Sequence, residues 1–152
     1  MENASKALIM AGGILIGVLI ISLAVYLFVD FGSTSAQINA QNAQKQLTEF
    51  NTKFTSYEDY KDKDGNWKIT IYDLITLAGY AKENNEYYEV SEGEENFIDV
   101  KIGNNSILHT TEITLINKYV NQDNGLLTKF EWKETEYYSN GRIKFIKFQA
   151  IK

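Results

Sequence analysis

The chain has 152 residues, a formal net charge of −5, and neither cysteine nor proline. The lack of cysteine excludes a disulfide framework and a thiolate metal site, while the acidic balance argues against a nucleic-acid partner, which would favour a basic face on the protein. The length allows one membrane span and one small domain, and the abundant lysine, asparagine, isoleucine and tyrosine indicate an AT-rich bacterial genome.

The first predicted element is a transmembrane helix over residues 7–29, a segment without a charged side chain. As a helix it extends about 34 Å, enough to cross a hydrocarbon core of about 30 Å. Lys6 precedes this segment and Asp30 follows it. The positive-inside rule therefore predicts a single-pass plasma-membrane protein with cytoplasmic residues 1–6 and an extracytoplasmic C-terminal domain.

Two other interpretations of the apolar segment are less consistent with its length. A cleaved signal peptide would use Thr34, Ser35 and Ala36 as its cleavage site, but the apolar part of such a peptide has about 7–15 residues. A buried core helix would need a larger domain around it than the remaining residues can form. Gly12, Gly13 and Gly17 bring small residues to one side of the helix, which predicts close helix–helix packing in a membrane or filament.

Residues 30–58 predict an amphipathic stalk helix, because apolar side chains recur at alternating gaps of four and three. The members of this stalk seam are Ala36, Ala40, Ala43, Leu47, Phe50, Phe54 and Tyr57. In this seam, small alanines are followed by larger side chains. This order favours a stalk helix whose first half packs on neighbouring helices and whose second half lies on a sheet. A self-associating coiled coil is the alternative. Gly32 costs only about 1 kcal/mol in a helix, so one helix is predicted from near Ser5 to Tyr57.

Residues 59–152 are predicted to form a small extracytoplasmic domain that begins with a capped helix. Thr70 is a good N-cap, Asp73 completes a capping box, and Ile69 and Leu74 occupy the positions of a hydrophobic staple. The stripe expected to face the core consists of Ile71, Leu74, Ile75, Ala78 and Ala81. Asn84 and Asn85 are expected to end the helix.

The remainder of this domain predicts mostly strands. Short strands are expected at residues 87–90 and 97–102, joined by a turn at 91–96. Residues 111–120 are predicted to be a helix, with a strand as the alternative because β-branched residues are dense there.

The chain ends in a predicted β-hairpin whose strands cover residues 127–138 and 142–151. Asn140 and Gly141 between them predict a two-residue type I′ turn. The fold class is therefore α+β, with a long N-terminal helix packed on a small antiparallel sheet.

One segment has the spacing of a calcium-binding loop. The matching positions 1, 3, 5 and 12 are occupied by Asp62, Asp64, Asn66 and Asp73. Position 6 of such a loop requires glycine for a sharp turn, but Trp67 stands there and Gly65 comes one residue early. We therefore expect a solvated turn and no metal site.

No set of residues suggests catalysis. His109 is the only histidine, and no catalytic triad, Walker loop or dinucleotide fingerprint can be assembled from the sequence. The run Glu92, Glu94 and Glu95 is expected to be a solvated loop. We expect neither enzymatic activity nor a cofactor.

The order of a helix that is first apolar and then amphipathic, followed by a small sheet, resembles type IV pilins and pseudopilins. The resemblance covers the whole layout and rests on no specific motif. It implies that the apolar half packs in a filament core and the amphipathic half lies on the globular head. Family members carry a short basic leader cut after glycine and a glutamate near the mature N-terminus. Glu2 is the one candidate for this glutamate and lies slightly nearer the terminus than the family pattern places it. No leader precedes it, so either the chain is a mature form or the match fails, and the disulfide usual in the family's heads is missing.

Two functions follow from these features. The first is a structural subunit of a pilus-like surface filament or pseudopilus, a homo-oligomer assembled through the apolar helix. The alternative is a membrane-anchored envelope domain that binds a ligand or a protein partner, with the stalk as a spacer.

Overall fold

The computed structural model describes residues 1–121 and 124–151. The chain divides into two compact units, Met1–Gln46 and Leu47–Lys152, which we call the N-terminal unit and the head. The predicted domain boundaries at residues 29 and 58 stay predictions, and residue 152, the end of the predicted domain, lies outside the described residues.

The first helix, α1, spans Glu2–Thr55, so the predicted single long helix is confirmed, with each end displaced by two or three residues. It is long and apolar enough to cross a membrane, and it is the one helix of this kind in the described part of the chain. The large apolar side chains between residues 8 and 31 are 55–79% exposed. Such an exposed apolar surface is unfavourable in water.

The last turns of α1 belong to the head. Phe54 is fully buried in its core, and Phe50 and Tyr57 pack against that core from partly buried positions. Asn51 donates from its side-chain amide to the carbonyl oxygen of Gly141 (2.8 Å) and accepts from the backbone N–H of Ile143 (3.3 Å). The end of the stalk seam is therefore a structural part of the head.

Helix α2 spans Ile71–Tyr87 and begins as predicted. The Asp73 carboxylate accepts from both the backbone N–H and the hydroxyl of Thr70, each at 2.8 Å. The predicted stripe faces the core, with only Ile75 partly exposed. Leu77, which lies beside this stripe, is also fully buried.

The predicted end of α2 and the predicted strand at residues 87–90 are wrong. Asn84 and Asn85 lie inside the helix, which continues to Tyr87, because their side chains bond to a neighbouring loop instead of capping their own helix. The helix ends in a Schellman motif: the N–H of Glu89 bonds to the carbonyl of Glu86 (3.1 Å), and the N–H of Val90 to that of Asn85 (3.0 Å). This motif places Glu89 in the left-handed region at φ 51°, where glycine is usual.

The head contains a four-stranded sheet and a third helix. The strands are β1 (Asp99–Ile102), β2 (Asn105–Ser106), β3 (Phe130–Tyr137) and β4 (Ile143–Ala150), and α3 spans Glu112–Tyr119, as predicted for that segment. The strand order is β2-β1-β4-β3. The α+β fold class is confirmed, but the sheet is mixed, because β4 pairs with β1 in parallel and with β3 in antiparallel fashion.

The hairpin between β3 and β4 has a different turn from the predicted type I′. Tyr138 and Arg142 close a three-residue loop through a bond from the N–H of Tyr138 to the carbonyl of Arg142 (2.8 Å), and the N–H of Gly141 bonds to the carbonyl of Tyr138 (2.9 Å). Gly141 has φ +81°, whereas Asn140 is not in the positive-φ region that a type I′ turn demands. The loop is a type I turn followed by a glycine bulge, and the register of the β3–β4 pair shifts again between Glu136 and Tyr137.

The core lies between the sheet, α2 and the end of α1. Helix α2 contacts both β1 and α3. The fully buried side chains of the core are Phe54, Ile69, Ile71, Leu74, Leu77, Ala81, Ile98, Val100, Phe130, Ile143, Ile146 and Phe148. This core fixes the ends of α1, α2 and the hairpin beside one another.

Candidate functional site

The most distinctive site of the head is built around Arg142, the only arginine in the chain. It follows the glycine of the hairpin turn and immediately precedes β4. Its guanidinium carbon lies 4.1 Å from the centre of the Phe50 ring and 4.6 Å from that of the Tyr88 ring. The cation is thus held by one aromatic side chain from α1 and one from the end of α2, an arrangement that suits guanidinium better than the ammonium of lysine.

Hydrogen bonds fix the orientation of this guanidinium. Nη1 donates to the hydroxyl of Tyr88 at 3.1 Å, and Nη2 donates to Oδ1 of Asn84 at 2.6 Å. Nε is buried and has no partner among the described residues. Within the described part of the chain, no carboxylate lies within 4 Å of the Arg142 nitrogens. The positive charge is therefore surrounded by neutral acceptors and ring faces.

The bond to Asn84 connects Arg142 to a buried amide network. The side-chain amide of Asn84 donates to the carbonyl of Asn96 (2.8 Å) and to Oδ1 of Asn85 (3.1 Å). Asn85 accepts from the N–H of Ile98 (2.8 Å) and donates to its carbonyl oxygen (2.9 Å), as a neighbouring strand would. Helix α2, the loop before β1 and the start of β4 are thereby joined through side-chain amides.

A cavity of about 230 Å³ opens beside the guanidinium. Its lining residues are Phe50, Lys53, Tyr80, Glu83, Asn84, Tyr87, Tyr88 and Arg142. The Lys53 ammonium lies 5.3 Å from the centre of the Tyr80 ring, and Tyr87 is 80% exposed. The cavity thus combines aromatic walls with two cations and one carboxylate, which is a chemistry suited to an anionic group on a small apolar body.

The residues predicted to pack in a membrane or filament lie in the N-terminal unit. A side chain added at Gly12, Gly13 or Gly17 would meet nothing within 4 Å, so these positions have open space on the helix surface. The first three members of the stalk seam, Ala36, Ala40 and Ala43, are also exposed.

The weak calcium candidates are engaged in local bonds. Oδ1 of Asp62 accepts from the backbone N–H groups of Asp64 and Asn66, each at 2.9 Å, and Asp73 caps α2. These backbone bonds, above all the one from Asn66, lower the pKa of Asp62 below its ordinary 3.8. Across residues 1–121 and 124–151 no three histidine or acidic side chains gather as metal ligands would.

The other charged candidates are dispersed. His109 is exposed and lines a separate, wide cavity of about 740 Å³ together with Glu92. Glu94 accepts from the backbone N–H of Ser91, and Glu95 accepts from the Asn140 amide at 3.4 Å. These bonds organise the loop after α2 and do not bring the glutamates together as an acid–base pair.

Sequence reasoning missed Arg142 and the roles of both asparagines. One signal was present: a single arginine in a chain otherwise reliant on lysine marks a position where a planar guanidinium is needed. The asparagines carried the opposite signal, because Asn is a common helix terminator and its long-range partners cannot be read locally.

The head is a small α+β domain whose first helix also carries an exposed apolar segment long enough to cross a membrane. This layout is compatible with pilin-like proteins. Comparison of the chain with protein-family models, with curated proteins and with solved structures found no match.

Proposed function

We propose that this chain is a structural subunit of a pilus-like surface filament or pseudopilus, held in the membrane before assembly and joined to other copies through its apolar N-terminal helix. One observation carries the proposal. The helix Glu2–Thr55 is continuous, its large apolar side chains between residues 8 and 31 are more than half exposed, and its last turns supply core residues to the head.

The exposed apolar surface supports this function because it requires a cover. Lipid supplies one in the membrane, and apolar helices of other copies supply an equivalent one in a filament. Helices associate closely in apolar surroundings where small residues let their backbones approach, and the open surface at Gly12, Gly13 and Gly17 allows this approach.

The end of α1 supports a structural role in a second way. Phe54 is fully buried and Asn51 bonds to the β-hairpin, so the head cannot be detached from the end of this helix without losing part of its core. A spacer that only tethers a binding domain needs no such integration, since flexible linkers serve that purpose.

The second candidate is a membrane-anchored envelope domain that binds a partner, and the Arg142 cavity is the observation that favours it. In this alternative the apolar helix is an anchor alone. Both candidates share an extracytoplasmic head, which the positive-inside rule supports. Protease added to intact spheroplasts should remove the head; full protection would contradict this orientation.

Electron microscopy of expressing cells, with antibody against the head, tests the filament proposal. We expect labelled filaments from the native chain, fewer or none from Gly17→Leu, and native amounts from the volume-conserving variant Leu19→Ile. A native chain that stays dispersed in the membrane, with no filaments and no helix-to-helix crosslinks from single cysteines introduced between residues 9 and 20, would leave the anchored domain as the function.

A further inference from the structure

We propose that the cavity beside Arg142 binds a carboxylate carried by another protein chain, as an acidic side chain or as a chain terminus. This inference goes beyond the filament proposal and does not depend on it, because the cavity lies entirely within the head and every contact that defines it involves residues after Gln46.

The first argument is charge. Arg142 is half-buried and its Nε is fully buried, and the described partners of its guanidinium, Asn84, Tyr88 and the ring of Phe50, are neutral. A partly desolvated cation with no carboxylate in direct contact is unfavourable, and Lys53 adds a second positive charge to the same cavity. Glu83 compensates one of the two charges, so a single additional carboxylate would balance the site.

The second argument is geometry. A guanidinium has five N–H groups; in the structure each Nη uses one of its two, and Nε–H is buried. Each Nη therefore keeps one N–H that can donate to a carboxylate oxygen. The rings of Phe50 and Tyr88 hold the guanidinium in place before a ligand binds. This lowers the conformational entropy that the Arg142 side chain loses on binding.

The third argument is size and lining. A cavity of about 230 Å³ is smaller than the roughly 300–1,000 Å³ typical of small-molecule sites, and it suits one residue of a protein chain. Tyrosine and arginine dominate the energetic centres of protein interfaces, and Tyr87 presents an exposed ring at the rim. Glu83 disfavours ligands with several negative charges, such as phosphate.

The lone arginine makes the proposal directly testable. The full chain, labelled with ¹⁵N-arginine in detergent micelles, contains one arginine Nε–H and hence one such NMR signal. Four probes are titrated: an end-blocked Tyr-Glu-Gly peptide, its end-blocked Tyr-Gln-Gly counterpart, a peptide whose only carboxylate is a C-terminal tyrosine, and inorganic phosphate.

We expect a saturable shift of the Arg142 signal with at least one carboxylate peptide, and binding of Tyr-Gln-Gly at least tenfold weaker. The peptide that shifts the signal identifies the source of the carboxylate. Lys53→Gln should weaken binding about five- to tenfold, Glu83→Gln should strengthen it, and Lys63→Gln, the same charge change in an exposed loop outside the cavity, should leave it unchanged.

Three results would overturn the proposal. The first is no shift with either carboxylate peptide at tens of millimolar. The second is an equal shift with the Glu and Gln peptides, or a shift with phosphate alone. The third is native affinity in Lys53→Gln. Because Lys53 and Glu83 are exposed, these variants test the cavity without removing the contacts that Arg142 makes inside the head.

Discussion

Nη2 of Arg142 donates a hydrogen bond of 2.6 Å to Oδ1 of Asn84, a residue 58 positions earlier in the chain. The bond connects the first residue after the hairpin turn to a buried position in α2. It also orients the amide of Asn84 so that its nitrogen reaches the carbonyl of Asn96. One amide therefore secures both the guanidinium and the loop that leads into β1.

The amide network predicts a large stability effect at Asn85. Asn85→Ala leaves the buried N–H and carbonyl of Ile98 without their partners, so we expect a loss of about 1–3 kcal/mol in the free energy of unfolding. Urea unfolding of the full chain in micelles, followed by tryptophan fluorescence, measures it. Asn104→Ala, at an exposed position, is the control and should change stability by less than about 0.5 kcal/mol.

The integration of α1 into the head predicts opposite behaviour for two phenylalanines of the same helix. Phe54 is fully buried, whereas Phe31 is 74% exposed. Phe54→Ala should destabilise the head by about 3–5 kcal/mol, while Phe31→Ala should leave its unfolding midpoint unchanged. Thermal melts of both variants at several protein concentrations measure this. A midpoint that rises with concentration would instead indicate that the stalk is a coiled coil.

The end of α2 offers a pair of glutamate substitutions with opposite expected signs. Glu89 has φ 51°, a conformation that costs an L-residue about 1–2 kcal/mol. After allowance for the greater flexibility of glycine, Glu89→Gly should stabilise the head by about 0.5–1 kcal/mol. Glu86→Gly, inside the helix, should destabilise it by about 1 kcal/mol. Equal losses in both variants would contradict the Schellman geometry.

The lowered pKa of Asp62 predicts how the stability of the head changes at acid pH. Its pKa is lowered below 3.8 because backbone N–H groups, first that of Asn66, donate to the charged carboxylate. A lowered pKa in the folded state means that Asp62 contributes stability above pH 3.8, and this contribution is lost as the pH falls through the lowered value. Carboxyl chemical shifts against pH should show the low pKa, and Asp62→Asn should lose stability less steeply between pH 4 and 2 than the native chain. If both proteins lost stability equally steeply between pH 4 and 2, the stabilising role of the Asp62 carboxylate would be refuted.

The same loop is expected not to hold calcium. Trp67 occupies the position where a calcium loop needs glycine, and Asp73 is already bonded to Thr70. Calorimetric titration of the full chain should detect no calcium binding tighter than the millimolar range. A micromolar site that disappears in Asp64→Ala would show this expectation to be wrong.

Several elements could be predicted from the sequence because their causes are local. The continuity of α1 follows from an apolar segment and a heptad seam with no proline between them. The start of α2 follows from Thr70 and Asp73, which are three residues apart and bond to each other. Helix α3 and the hairpin likewise depend on periodicity and on turn residues within a few positions of each other. For such features the interacting groups are neighbours in the chain.

Other features were decided only by the tertiary structure. The sequence of the β3–β4 hairpin does not say which of its strands adds to β1, and the choice of β4 makes that pair parallel. Asn84 and Asn85 carry the local signature of a helix end, but bonds to Asn96, Ile98 and Arg142 outweigh it, since buried amides are stable only when paired. The apolar length of α1 was determined by the sequence alone, whereas the Arg142 site required the fold, because its members come from α1, α2 and the hairpin and meet only when the core between them forms.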